Sequence, residues 1–336
     1  MIDHRAPSAL RQPPLCRRLL TGAVRAALAI QLAALATLAP TGARAQTWTG
    51  AASSAFGNAA NWSTNAVPDS THEANFVGGT PSAVSLANSQ VSVAGLNFAA
   101  NAPAFTLTLS STGPIGQTLA IGAAGIVNLS PATQHIVAAN ANTAISLSGT
   151  NATNSGTVEL DASATLAAIN FAAGASAGSA TIVTTSGAKT TFSGASAGHA
   201  TISVIGQSGL SFFNGADAGN ATIANGALAT TAFNDTSGAA NAHISNAGEL
   251  LFAGSASAQS AVIDSSGTVL FANASSAALS NSCSACAARS LAARTSFLKP
   301  RAKTLRLTAS SIAARVAVIQ IPRPGNLRLM SGTASP

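Results

Sequence analysis

A large aromatic residue recurs about every 20 positions through the second half of this chain. The intervals along the series Phe171, Phe192, Phe213, Phe233, Phe252 and Phe271 are 21, 21, 20, 19 and 19. Ile182, Ile202, Ile223, Ile244 and Ile263 fall between them, each about midway from its Phe to the next. Four residues before each Ile stand Gly178, Gly198, Gly219, Ala240 and Gln259, and two before it stand Ala180, Ala200, Ala221, Ala242 and Ala261. A unit this short cannot bury its own apolar face, so the units must stack. Each reads as two short strands, one of Ala-Thr-Ile type and one ending in Phe, as in Gly248-Glu249-Leu250-Leu251-Phe252. Gly187, Gly226, Gly248 and Gly267 after the Ile supply turns. In a stack the Phe and Ile of one rung rest on those of the next, and the Ala positions allow a narrow interior.

Residues 82–160 alternate apolar and polar without a clean repeat. Phe105-Thr106-Leu107-Thr108-Leu109, Ile126-Val127-Asn128-Leu129, Ile145-Ser146-Leu147 and Thr157-Val158-Glu159-Leu160 are examples. Period-two runs separated by Gly, Asn and Pro read as strands and turns. No segment between 46 and 280 has helical periodicity. Disorder is the alternative for so small-residue a chain, but disordered tracts lack recurring large apolar residues. The expected fold class is all-β, a stacked solenoid with rungs of about 20 residues.

Charge is unevenly placed. Only 7% of residues are charged, and Tyr is absent. Six Arg precede residue 46, and nine Lys or Arg follow 281. Between them Lys189 alone faces eight acids, so that segment carries −7 although the whole chain carries +7. A nucleic-acid binder needs basic groups on the folded face that meets phosphates. Nucleic-acid binding is therefore excluded for the middle segment.

The N-terminus reads as an export signal. Five Arg lie within residues 1–25, and the apolar run 26–39 follows. Ala43-Arg44-Ala45 then offers a small-x-small cleavage site before Gln46. The run is shorter than the roughly 18–20 residues that span a bilayer, so a signal peptide is expected rather than an anchor. Arg17-Arg18-Leu19-Leu20 resembles a twin-arginine motif, though an ordinary basic region explains it as well. Cys16 precedes the apolar run and does not suit lipid attachment.

A family resemblance rests on the segment after that site. Trp48-Thr49-Gly50, Asn58-Ala59-Ala60-Asn61-Trp62, Val67-Pro68-Asp69 and Glu73-Ala74-Asn75-Phe76 resemble the start of autotransporter passenger domains, the β-helical repeat proteins of bacterial type V secretion. Val91-Ser92-Val93-Ala94-Gly95-Leu96-Asn97-Phe98 and Phe105-Thr106-Leu107-Thr108 look like that family's first rungs. The resemblance covers roughly 46–280. It implies a right-handed parallel β-helix outside the cell and a C-terminal translocator barrel in the outer membrane. Residues 281–336 are too few for a barrel and contain one aromatic residue, Phe297. The expected organisation is a signal peptide at 1–45, a cap with first rungs at 46–110, solenoid repeats at 111–280, and an irregular basic low-complexity tail at 281–336.

The tail begins mid-repeat. The unit that starts at Phe271 calls for an Ile near 281 or 282, where Asn281 and Ser282 stand. Acids then vanish, Lys and Arg abound, and Cys283 and Cys286 appear. A shifted reading frame accounts for this better than a cationic tail made for anionic surfaces.

Motifs that suggest chemistry mostly dissolve into the repeat. Gly174-Ala175-Ser176-Ala177-Gly178 and Gly194-Ala195-Ser196-Ala197-Gly198 match a nucleophile pattern, but the pattern needs a strand-to-helix elbow, and Asp217 replaces the Ser in the next copy. His199 occupies a rung position filled elsewhere by Ser179, Asn220, Asn241 and Ser260. His72, His135 and His243 have no recurring acidic or Cys neighbours at ligand spacing. Glu159 and Asp161 share one side of a strand and could form a sugar-cleaving pair, but a solvated strand face explains them more simply. Cys283 and Cys286 have no second pair for zinc. Asn61, Asn151 and Asn220 form glycosylation-type sequons by composition alone.

The expected function is an exported, adhesin-like structural or interaction protein without catalytic, cofactor-binding or metal-binding residues. Its partner would be an unknown surface ligand, a glycan or protein of a host or neighbouring cell, with an outer-membrane barrel as the usual anchor. With the barrel supplied it would sit at the cell surface, and otherwise in the periplasm or medium. The alternatives are a carbohydrate-active β-helix enzyme and a non-functional secreted fragment.

Overall fold

The computed structural model describes residues 45–87, 90–111, 116–151, 155–276 and 288–291. The expected export signal up to residue 44, Cys283, Cys286 and the expected tail apart from 288–291 lie outside the described residues. Those described form an all-β parallel solenoid of about nine turns with rungs of about 22 residues. Helix is limited to one short 3-10 turn at Ala59–Asn61 among them.

Two long parallel sheets form the main walls. Among the described residues, twelve strands make the first, running from Gln46–Thr47 through Ala168–Phe171 to Ala288–Leu291. Nine strands make the second, from Ala83–Ala87 to Val262–Ser265. A third, narrow wall is held by single parallel bridges, Thr150 to Ser176 to Ser196 to Asp217 to Gly238 to Ser257 to Ser276. Buried Ala flank most of its bridge residues, as at Ala175 and Ala177, Ala195 and Ala197, and Ala216 and Ala218. Such small side chains suit the close packing of a protein interior.

Rung length is not constant. In the first sheet Ala144 pairs with Ala168, Ala168 with Lys189, and Thr230 with Glu249, so the step shortens along the chain. In the second sheet the step from Thr106 to His135 is far longer than that from His243 to Val262. Strand pitch is set by hydrogen bonding, so corner loops absorb the difference. The stretch 82–160 therefore belongs to the same ladder even though its sequence shows no clean repeat. Val84, Leu107, Ile136 and Leu160 occupy the column that Ile182 to Ile263 continue.

The aromatic column corrects one expectation. Phe212, not Phe213, pairs with Phe192 and Phe233. Phe171, Phe192, Phe212, Phe233, Phe252 and Phe271 stack nearly parallel, with centroid separations of 4.4, 5.0, 4.5, 4.9 and 4.8 Å. Phe213 is half-buried outside the column. Side chains alternate between faces along a strand, so adjacent Phe residues cannot both enter the interior.

Polar side chains also stack inside. Asn225 Nδ2 donates to Asn246 Oδ1 at 2.7 Å, and Asn246 Nδ2 donates to Ser265 Oγ at 2.9 Å. Asn225 Nδ2 also reaches Glu249 O, and Asn246 Nδ2 reaches Thr268 O, so the ladder ties one rung's corner to the next. Each buried amide thereby finds acceptors in its own rung corner and the next.

Aromatic residues fill the N-terminal end. Trp48 and Trp62 meet edge-on at 5.2 Å, and Phe56 meets Trp62 at 4.8 Å. Trp48 Nε1 donates to Pro81 O at 2.9 Å and Trp62 Nε1 to Phe56 O at 2.8 Å. Asn61 is buried, accepting from the Ala52 and Ser53 amides and donating to Ala55 O. The motifs that carry the family resemblance are thus what closes this end of the core. At the other end, Ala288–Leu291 pairs with Thr268–Ala272 at the same step as the rung before it, which puts a strand inside the expected irregular tail. Ser290 takes the register position beside Phe271.

Candidate functional site

The outward face of the second sheet carries two lanes of side chains. One lane runs Thr106, His135, Glu159, Thr181, Thr201, Thr222, His243 and Val262 in successive strands. The other runs Thr108, Val137, Asp161, Val183, Ser203, Ala224, Ser245 and Asp264. Both lanes follow from period-two alternation, because Ile136, Leu160 and Ile182 point inward between them.

Three ionisable groups converge where the lanes cross the Gln134–Ala138 and Val158–Ala162 strands. His135 pairs in register with Glu159, and Asp161 stands two residues further along the same strand as Glu159. One ligand-capable atom from each lies within 4.8 Å of the others. His135 Nδ1 is 3.6 Å from Glu159 Oε2, an ion-pair distance too long for a hydrogen bond. Asp161 sits in its lane between Val137 and Val183, and its Oδ1 is shielded from solvent without a hydrogen-bond partner among the described residues. Burial, then the Glu159 carboxylate beside it, push the Asp161 carboxyl up to about 6, and His135 opposes the shift.

This cluster was invisible in the sequence, where a whole rung of chain separates His135 from its partner Glu159. The expectation that His135 has no acidic neighbour at ligand spacing is therefore corrected. The rung brings them together, and its step in this region differs from the repeat further along. His243 shows a related diagonal contact, its Nε2 lying 3.1 Å from Asp264 Oδ2 in the next strand.

The other residues singled out from the sequence lie elsewhere. Ser176 and Ser196 stand on the narrow wall, where their hydroxyls accept from the Gly178 and Gly198 amides at 3.1 Å. They are turn residues between strands, not nucleophiles on a strand-to-helix elbow. His199 is exposed on the rung edge. His72 pairs with Asp69 at 2.6 Å, and bonds from Thr71 and His72 hold the Asp69 carboxylate down to about 2. A shallow groove at Leu228, Thr230, Gly248, Glu249, Gly267 and Thr268 has Glu249 as its ionisable lining residue.

A pH effect on stability follows from Asp161. Its folded value lies above the ordinary 3.8, so the folded chain holds this proton more tightly. The associated stability is fully present below about pH 4 and is lost as pH rises through about 6. Asp161→Asn removes that loss. In metal-free buffer it raises the unfolding free energy by about 1–2 kcal/mol at pH 7.5, after allowance for screening at a partly exposed position, and changes it little at pH 4. Urea unfolding at the two pH values measures the difference; equal effects at both would contradict it.

Comparison with protein-family models, with characterised proteins and with solved structures finds no match to this chain.

Proposed function

We propose that this chain is an exported surface passenger whose solenoid acts as an adhesin-like, non-catalytic contact surface. The observation that carries the reading is the stack itself, about nine rungs presenting short, sparsely charged lanes of mostly polar side chains in register. Such a face repeats one weak contact at strand spacing, and repeated weak contacts give avidity without a deep pocket. One corner adds apolar contacts, since Leu166, Ile205 and Leu228 are exposed in loops that lead from the second sheet to the first. The basic, apolar and small-residue order of the first 45 residues supports export across the inner membrane. The Trp48 to Phe76 motifs support an autotransporter passenger, which would take its place at the cell surface from an outer-membrane barrel. The ligand class that suits these lanes is a glycan or protein surface of a host or neighbouring cell.

The test is to express the full chain with its leader, joined to a translocator barrel, and treat intact cells with protease. The expected result is a leader-cleaved solenoid that protease removes from the cell surface and that raises adhesion to immobilised glycans or cells. An unprocessed chain retained in the cytoplasm would overturn the reading. A second reading, a carbohydrate-active enzyme, is favoured by the nearness of Glu159 and Asp161, two carboxylates with oxygens within 4.8 Å on one outward strand face. Polysaccharide cleavage that Glu159→Gln abolishes would install it in place of the adhesin.

A further inference from the structure

We propose that His135, Glu159 and Asp161 form a surface site for a divalent transition-metal ion, best matched by Zn2+. The inference does not depend on the adhesin reading. Three observations carry it.

The donor set is chemically apt. One imidazole nitrogen and two carboxylate oxygens suit zinc and its neighbours, whereas an all-oxygen set would suit calcium or magnesium. The donor atoms lie within 4.8 Å of one another. Bonds of about 2.0–2.2 Å place tetrahedral ligands roughly 3–3.5 Å apart, so small side-chain rotations close the site. Three protein ligands leave a fourth position for water or a substrate donor.

The cluster is also incomplete as it stands. Glu159 and Asp161 repel each other, and no hydrogen bond joins either to His135 among the described contacts. Among the described residues, the shielded Asp161 Oδ1 has no hydrogen-bond partner. A buried carboxylate oxygen without a donor is costly, and a cation is the group that would satisfy it. Lys189, the one Lys or Arg between residues 46 and 280, lies on the other sheet and is not the counter-charge here.

Finally, the scaffold is rigid. The ligands sit on adjacent hydrogen-bonded strands whose inward side chains, Ile136 and Leu160, are fully buried. A site on strands holds its geometry better than one on loops.

The test uses the full chain with Cys16, Cys283 and Cys286 changed to Ser, so that thiolates do not compete. Calorimetric titration with ZnCl2 at pH 7.5 is expected to give one equivalent bound, with a Kd of about 1–100 µM, and a higher Tm in its presence. His135→Ala, Glu159→Gln and Asp161→Asn each weaken binding by about tenfold or more, while His243→Ala leaves it unchanged. Far-UV circular dichroism checks that these outward substitutions keep the solenoid. On the unsubstituted imidazole, Zn2+ protects His135 from acylation by diethyl pyrocarbonate, read by mass spectrometry, and leaves His199 reactive. Absence of binding up to about 1 mM Zn2+, or equal binding by all three variants, overturns the proposal.

Discussion

Phe212→Ala lowers the unfolding free energy by about 3–5 kcal/mol, and Phe213→Ala changes it by about 1 kcal/mol or less. Phe212 is fully buried, with Phe192 at 5.0 Å on one side and Phe233 at 4.5 Å on the other. Truncation removes a ring from the middle of a six-ring column and leaves a cavity that the hydrogen-bonded strands cannot collapse to fill. Phe213 lies on the opposite face of the same strand and contributes little to the core. In a solenoid each rung touches only its neighbours, so the loss at Phe212 also uncouples the rungs on either side. Urea denaturation should show a large fall in midpoint for Phe212→Ala, and a broadened transition if the two halves separate. A larger effect of Phe213→Ala than of Phe212→Ala would mean that the strand is registered one residue away from the arrangement described.

The second large effect is at the turn before the Ile strand. Gly178, Gly198, Gly219, Ala240 and Gln259 take φ values of +57°, +62°, +57°, +50° and +49° at the same rung position. The left-handed conformation strains any residue with a Cβ by about 1–2 kcal/mol. At Gly219 an added Cβ would also lie 2.5 Å from the Gly198 carbonyl oxygen of the neighbouring rung. Gly219→Ala is therefore expected to destabilise by about 2–4 kcal/mol, the sum of conformational strain and a forced backbone shift. The reverse change, Ala240→Gly, relieves the strain but frees the unfolded chain, for a net gain of about 0.5–1 kcal/mol. Opposite signs at equivalent positions, measured as shifts in urea midpoint, are the diagnostic result. A destabilising Ala240→Gly would show that the strain is offset there by packing of the methyl group.

Both effects mark the line between what was legible beforehand and what was not. The Gly, Ala and Ile spacings were plain because they repeat at nearly constant steps through 178–263, where corner loops are short. The same periodicity misassigned the aromatic column at one rung, because two adjacent Phe residues fit a repeat of uneven length equally well. Only the pairing of Lys189–Ser193 with Gly209–Phe213 selects Phe212. The cluster at His135 was beyond reach for a related reason. Its rung belongs to the half of the chain where steps are longer and less even, so the sequence distance between lane neighbours cannot be anticipated.

By itself, the amino-acid sequence determined that these units must stack, because a segment of about 20 residues holding one Phe and one Ile cannot exclude water from both alone. It also determined the strand character, through period-two alternation, and the turns, through Gly and Asn. The tertiary structure alone decided register, the asymmetry between two long sheets and one narrow wall, and the meeting of His135 with Glu159 and Asp161. Those depend on loop length at each corner. A loop adds residues along the chain without changing the roughly 4.7–4.9 Å spacing at which neighbouring strands must lie, and the linear order of residues carries no direct record of that spacing.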